Sequence, residues 1–468
     1  MSIRILALYL CVTGLCLYAW KDWFKSLCAL IVMMAVIEHG DMPKTMFGIQ
    51  GLNVWNVLFL AVALAWLANR RRQGLTWDLP RNVSLLLLMF LGVILVGVLR
   101  AAFDLRYMPG YTVVDLVSEE LINSIKWVLP GVLIFDGSRT RKQVITAHVC
   151  LLVLYLLLAG QAAKHVQPEA VFGSSNVIIR ARGRLQKNLG YHATDLSVML
   201  GGASWGLFAT LPLVRAKRYK LAVLGATALV AYSQALTGGR AGYVAWGTTG
   251  LILCLLKWRR YLLLAPVVVL LLPIVLPGAT ARMLQGFGQT NAAGQTTVDE
   301  ASVTSGRNLI WPPVIKKIQE SPWIGYGRRA MQRTGLQQSL LQQYGAGEAV
   351  GHPHNMYLET LLDNGILGAL LIWSFYALMV FHAARLFRSN NRLYSAIAGL
   401  ALALLLTNLI GGLSGQHYFP LEHTLGIWVA IFLMLRVRVE ELRADGGGEA
   451  RVLPPVAVGS QTVIGAVG

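Results

Sequence analysis

The chain alternates between apolar runs and short polar connectors over most of its length. Apolar stretches fall near residues 5–20, 26–38, 52–69, 83–99, 117–136, 143–160, 194–214, 221–237, 241–256, 261–277, 357–381, 393–411 and 424–436. Many approach the ~20 residues that carry an α-helix across a bilayer. "KDWFK" barely separates the first two, so they count as one crossing plus a partial one, giving about twelve spans. The first run lacks a small-residue cleavage site and is expected to stay as a helix. Two segments interrupt the rhythm, 161–193 and 278–356.

The second of these segments has a pattern of its own. In "SGRNLIWPPVIKKIQESPWIGYG", Trp311, Val314, Ile315 and Ile318 follow i, i+3, i+4, i+7 spacing. The paired prolines fit a first helical turn, where a missing N–H costs little. Lys316 and Lys317 lie off the stripe, so an amphipathic helix lying in the membrane interface is expected. Before it, "QGFGQTNAAGQTTVDEASVTSG" is small and polar, as a mobile segment would be. After it, "GHPHNMYLETLLDNGILGALL" opens a long apolar helix. There His354 leads a packed stripe through Leu358, Leu361 and Leu362, while Asn355, Glu359 and Asp363 form another at i, i+4, i+8.

The expected fold is therefore all-α, a polytopic transmembrane helix bundle. Its parts are a bundle over 1–277, a periplasmic loop with an amphipathic helix over 278–356, C-terminal transmembrane helices over 357–438, and a disordered cytoplasmic tail over 439–468. Composition agrees: 55% of the 468 residues are hydrophobic and 13% charged, against about 25% charged in a soluble chain. The five cysteines, Cys11, Cys16, Cys28, Cys150 and Cys254, lie in or beside apolar runs without metal-ligand spacing, and read as small hydrophobes.

Charge then sets orientation. "NRRRQ", "GSRTRK", "RAKRYK", "KWRR", "ARLFRSNNR" and "RVRVEELR" are short basic stretches between or after spans, cytoplasmic by the positive-inside rule. They account for much of the net charge of +19, which is topological; no nucleic-acid motif accompanies it. Parity places 161–193, "TGGRAG" and 278–356 outside. Those outer segments carry Arg180, Arg182, Arg184, Lys187, Arg240, Arg282, Arg307, Lys316, Lys317, Arg328, Arg329 and Arg333, against the usual bias. Solvated loop charge is one account. An anion is the other, because a guanidinium fork binds two phosphate oxygens at once. Arg240 stands between glycines, where backbone approaches a ligand closely.

A first-turn position would set His354 at the positive end of a helix dipole, which favours neutral imidazole, the form a general base needs. The same helix end attracts phosphate oxygens. The bland account of His354 is an interfacial cap. His352 is either structural or acceptor-facing. Zinc has two ligands in His-x-His but no third at local spacing.

At this point several segments, in order, resemble the O-antigen ligase family of bacterial inner-membrane glycosyltransferases. "HPHNMYLETLLDNGILGALL" is similar to its His-Asn-x-Tyr-Leu block with a following Gly-x-x-Gly. "SGRNLIWPPVIKKIQESPWIGYG" is similar to its Arg-containing periplasmic helix and Pro-x-x-Gly-x-Gly turn. "LTGGRAG" resembles its Ser-Arg-Gly turn with Gly239 in place of serine, and "RARGRLQKNLGYHATD" resembles its Arg-x-x-Gly segment more loosely, leaving Arg182 and Arg184 open. The likeness covers roughly 180–430. It implies a GT-C-like membrane glycosyltransferase without cofactor or metal, in the inner membrane, with its site facing the periplasm. It would transfer polysaccharide from undecaprenyl pyrophosphate to a hydroxyl of lipid A–core. By carry-over, His354 is base or acceptor-orienting residue, and Arg184, Arg240 and Arg307 clamp the pyrophosphate. Arg182, Asn355, His352, Tyr357 and Arg328 complete the candidate set. Partners would be the lipid-linked O-antigen, the lipid A–core oligosaccharide and membrane lipids. An O-antigen polymerase or a protein O-oligosaccharyltransferase would use the same donor; a lipid transporter is the reading from another class.

Overall fold

The computed structural model describes residues 3–445, apart from 47, 50, 73, 167–174, 286, 288, 291–295, 298–302, 346–350 and 416. Its helices run in order: α1 Ile3–Ala19, α2 Trp23–Ile37, α3 Val54–Arg72, α4 Arg81–Ala102, α5 Asn123–Gly137, α6 Arg141–His165, α7 Ser175–Leu189, α8 Ala193–Ala209, α9 Lys217–Leu236, α10 Arg240–Leu256, α11 Ala265–Val275, α12 Pro277–Met283, α13 Arg307–Glu320, α14 Leu336–Tyr344, α15 Met356–Phe387, α16 Arg392–Gly411 and α17 Leu425–Asp445. Every apolar stretch read from the sequence lies on a helix, as lipid demands of a backbone that must satisfy itself. The described strands are two residues each, Gln289–Thr290 paired with Thr296–Thr297.

Among the described residues, five helices are long and apolar enough to cross a membrane: Arg81–Ala102, Arg141–His165, Ala193–Leu213, Met356–Phe387 and Arg392–Gly411. A sixth is added if Arg259–Val275 and Pro277–Met283, bent by 105°, form one broken span. α11 buries none of its residues and exposes a Val/Leu/Ile surface along its length.

The core centres on α16, which is buried along almost all its length. α8 crosses it through Gly202 and Gly206, where any side chain would meet the backbone of Leu404 or Leu400. Small residues at a crossing let two helices approach closely, the usual way to pack them in lipid. Gly131 of α5 likewise meets the Trp428 backbone of α17, whose ring stacks on Phe375 of α15 at 5.6 Å.

Four sequence expectations change here. α13 starts at Arg307, so Pro312 and Pro313 lie inside it rather than in its first turn. Its inward face is Ile310 and Val314, while Ile315 is 43% exposed; the stripe is rotated by about a residue. α17 continues through Asp445, so the proposed tail does not begin at 439; residues 446–468 lie outside the described residues, as does most of the segment expected to be mobile, 285–306. The segment 161–193 carries the end of α6 and all of α7. Finally, α15 is broken at Gly365, with φ 62° and ψ −170°. The turn after α13 fills the break. Tyr326 N–H donates to Leu362 O at 2.9 Å and Gly327 N–H to Asp363 O at 2.7 Å. Ile366 N–H donates to Pro322 O at 2.8 Å and Leu367 N–H to Trp323 O at 3.1 Å. Each backbone group freed by the break is thus taken up.

Candidate functional site

Four arginines from separate segments meet where α7, α10, α12 and α13 come together. Arg182 of α7 donates to Gly238 O at 3.1 Å and to Thr194 Oγ1 at 3.3 Å. Arg282 of α12 reaches the same Gly238 carbonyl at 3.5 Å and also bonds the Gln285 side chain. Arg240, first residue of α10, donates to Gln285 O at 3.3 Å and to the Ser305 hydroxyl. Arg307, first residue of α13, donates to Thr304 O at 3.0 Å and to Ser414 O at 2.7 Å. Gly238 makes this assembly possible. Its φ is 66°, and a side chain there would run into Ile178 and the Arg182 chain.

The partners of these guanidiniums are mostly carbonyls and hydroxyls. Among the described residues, Arg182, Arg282 and Arg307 have no carboxylate within ion-pair distance. The Arg307 Nε is buried with no hydrogen-bond partner among the described residues. Burial holds the Arg182 and Arg307 guanidiniums below their ordinary pKa, and the charge of Arg240 adds to this in both. Like charges gathered in a partly dry site are costly unless an anion joins them.

The sequence left Arg182 and Arg184 open and favoured Arg184. The structure gathers Arg182 into the cluster and leaves Arg184 exposed. Positions two apart on a helix point about 200° from each other, so one face of α7 cannot present both.

A histidine cluster stands beside the arginines. Trp311 of α13 donates to Pro353 O at 3.0 Å, which ties the Arg307 helix to the "HPHN" strand of sequence. His354 is not in the first turn of α15. Asn355 is the N-cap, and His354 precedes it with φ 50°. The physical reason is capping. The Asn355 side chain accepts from Tyr357 N–H at 2.9 Å and Leu358 N–H at 3.1 Å, and Met356 N–H donates to Gly412 O at 2.7 Å. Those bonds close the helix end that the sequence offered to phosphate. His354 is kept neutral by burial first and by the Arg307 charge second, which push its pKa down to about 4. No described residue hydrogen-bonds its ring.

His352 accepts the His354 amide N–H at its Nδ1, 3.1 Å away, and its ring lies 4.0 Å from that of His354 and 4.5 Å from that of His417. Burial, then the neighbouring His417 and His354, lowers its pKa to about 3. His417, in the turn between α16 and α17, places Nδ1 3.0 Å from both carboxylate oxygens of Glu359. Burial opposes its protonation, yet Glu359 prevails and its pKa is raised. Among the described residues no three His, Cys, Asp or Glu side chains are set to hold a metal ion.

Three further candidates have structural occupations. Asn355 caps α15. Tyr357 donates its hydroxyl to Leu409 O at 2.8 Å and stacks on Trp373 at 4.6 Å. Arg328, 3% exposed, is held by Asp363 Oδ2 at 2.9 Å, Glu120 Oε2 at 2.6 Å and Glu359 Oε1 at 3.6 Å, with Phe419 beneath it at 3.3 Å. Those carboxylates keep its pKa above the ordinary value against its burial. Arg329 beside it pairs with Glu119 at 2.6 Å and Glu120 at 2.5 Å. Arg328 is therefore turned inward, away from any substrate. Sequence reasoning missed this network, although "VSEELI" puts two acids inside an apolar stretch, where a π-helical turn now presents them. It named Arg282 only among the outer basic residues, without selecting it for the site, and it passed over His417. "SGQHYFPLEH", polar and on the same side as "HPHN", was the available signal for the second.

Comparison with known proteins follows this geometry. The O-antigen ligase family profile matches residues 200–373. The chain is 31% identical over 140 residues to an O-antigen ligase of Pseudomonas aeruginosa, covering 29% of this chain and 31% of that protein. It is 33% identical over 88 residues to a ComP-specific O-oligosaccharyltransferase of Acinetobacter baylyi, covering 18% of this chain and 15% of that one. The match thus spans less than a third of the length of either relative.

Proposed function

We propose, on the match to the O-antigen ligase family profile over residues 200–373 and the likeness to an O-antigen ligase, that the chain transfers a glycan from a lipid pyrophosphate, undecaprenyl pyrophosphate, to a hydroxyl of lipid A–core. The setting is the bacterial inner membrane, in a GT-C-like bundle of about twelve spans with the site facing the periplasm. One observation carries the proposal: Arg182, Arg240, Arg282 and Arg307 converge beside His354, and three of them have no carboxylate partner among the described residues. That arrangement suits a leaving group whose negative charge grows as the glycosidic bond breaks. The guanidiniums supply the cationic stabilisation, so the step calls for no cofactor. His354, uncharged and next to Arg307, orients the acceptor hydroxyl or takes its proton.

Purified protein given lipid-linked glycan and lipid A–core should yield a larger lipopolysaccharide on gel electrophoresis. Lengthening of glycan on the carrier lipid, with lipid A–core unmodified, would make it a polymerase. Glycan appearing on protein serine or threonine would make it an oligosaccharyltransferase, the activity named for the Acinetobacter relative.

A further inference from the structure

The histidine cluster has a hydrogen-bond inventory that assigns different roles to its members. His352 has spent its Nδ1 lone pair on the His354 amide, so its neutral tautomer carries the proton on Nε2 and only donates. His354 lies beside the Arg307 charge, which penalises any proton it takes up. His417 differs. Its Nδ1–H is held by both oxygens of Glu359 at 3.0 Å, so its Nε2 is left as the lone pair. Its side chain keeps 21% exposure, whereas that of Glu359 keeps 8%. A carboxylate behind an imidazole fixes its tautomer and orientation and stabilises the imidazolium that forms.

The same turn reaches the arginine cluster. Arg307 donates to the carbonyl of Ser414, three residues before His417, at 2.7 Å. The base and the anion clamp are therefore mounted on one turn.

Resting on the glycan-transfer reading above, we infer that His417, held by Glu359, is the general base that accepts the acceptor hydroxyl proton, while His354 orients that hydroxyl. In the step, the hydroxyl proton passes to His417 Nε2. The acceptor oxygen forms its bond to the anomeric carbon, and the anomeric carbon–oxygen bond to pyrophosphate breaks with its electron pair on the leaving oxygen. The imidazolium is balanced by Glu359, and the leaving charge by the guanidiniums. The groups facing His417 are Glu359 on α15, Arg328 from the turn after α13, Asp195 on α8, and the rings of His352 and His354.

The test is the pH profile of transfer by the full-length protein, with lipid-pyrophosphate-linked glycan and lipid A–core. A base must be neutral to act, so wild-type kcat should fall on the acid side as His417 protonates. His417→Gln should lose about 10²–10⁴-fold in kcat with little change in donor KM, and its acid limb should vanish. Glu359→Gln should move the limb to lower pH, because the carboxylate that raises the imidazole pKa is gone. Carbethoxylation of His417 in wild type and in Glu359→Gln, followed by mass spectrometry against pH, reads the same shift without any turnover, and circular dichroism checks that His417→Gln stays folded. A His417→Gln protein with wild-type rate and profile overturns the inference. So does an acid limb that disappears in His354→Ala and persists in His417→Gln. A wild type that transfers no glycan overturns the transfer reading, and this inference with it; transfer by His417→Gln at the wild-type rate overturns this inference alone.

Discussion

At the scale of single residues, local spacing made the arginines conspicuous but could not say which of them meet. Arg182 and Arg184 share one short basic stretch, and only the rotation of α7 against Gly238 separates them. Arg328 looked like Arg307 in sequence, since its three carboxylates, Glu359, Asp363 and Glu120, come from two other elements and lie 31, 35 and 208 positions away along the chain. The difference has a measurable consequence. Arg182→Ala should lower transfer by about 10²–10³-fold, the usual loss for one preorganised charge donor. Arg184→Ala, an exposed change, should stay within about twofold. Initial rates with the lipid-linked donor, on variants shown to be equally folded by circular dichroism, decide it; equal losses in both would remove Arg182 from the clamp.

At the scale of elements, the positions of the helices were legible because lipid permits few alternatives to an apolar helix. Their ends and breaks were less so. Whether α15 begins at His354 or after Asn355 depends on which side chain caps it, and that choice closed the helix end expected to bind phosphate. The break at Gly365 was hidden inside "LDNGILGALL", a run apolar enough to pass as unbroken. It exists because the turn Pro322–Gly327 supplies backbone partners on both sides of it. A Cβ at Gly365 would collide with the Trp323 and Ile324 backbone, in a conformation essentially reserved for glycine. Gly365→Ala should therefore destabilise the protein by about 1–3 kcal/mol from the conformation alone, and more from the collision. A clear drop in the thermal unfolding midpoint of detergent-solubilised protein is expected; an unchanged midpoint would mean that the break is not built on this glycine.

At the scale of the whole molecule, the bundle is closed at its other end, beyond the N-terminus of α4, by a second ionic network. Asp78 meets Arg436 at 2.7 Å, Arg139 at 2.8 Å and Arg443 at 2.6 Å, while Asp136 holds Arg70 at 2.8 Å and Arg139 at 2.6 Å. These contacts join the α3–α4 connector, α5 and α17, so residues 365 positions apart are fastened together. Charge counting assigned "RVRVEELR" to orientation alone, yet Arg436 is fully buried and its role is to bind the last helix to the first half of the chain. Burial works against the ionised Asp78, but Arg436, then Arg139 and Arg443, hold its pKa down to about 2. The sign follows from linkage. The folded value lies below the ~3.9 of an unfolded aspartate, so the stabilisation is complete above about pH 4 and is lost as pH falls towards 2. Asp78 is partly open to water, so the pH-dependent part should be about 1–2 kcal/mol. Asp78→Asn should lower the unfolding midpoint at pH 7, leaving Arg436 buried with one fewer counter-charge, and its deficit against wild type should shrink as pH falls from 4 to 2. A deficit independent of pH over that range would show that Asp78 acts through its shape and hydrogen bonds rather than its charge.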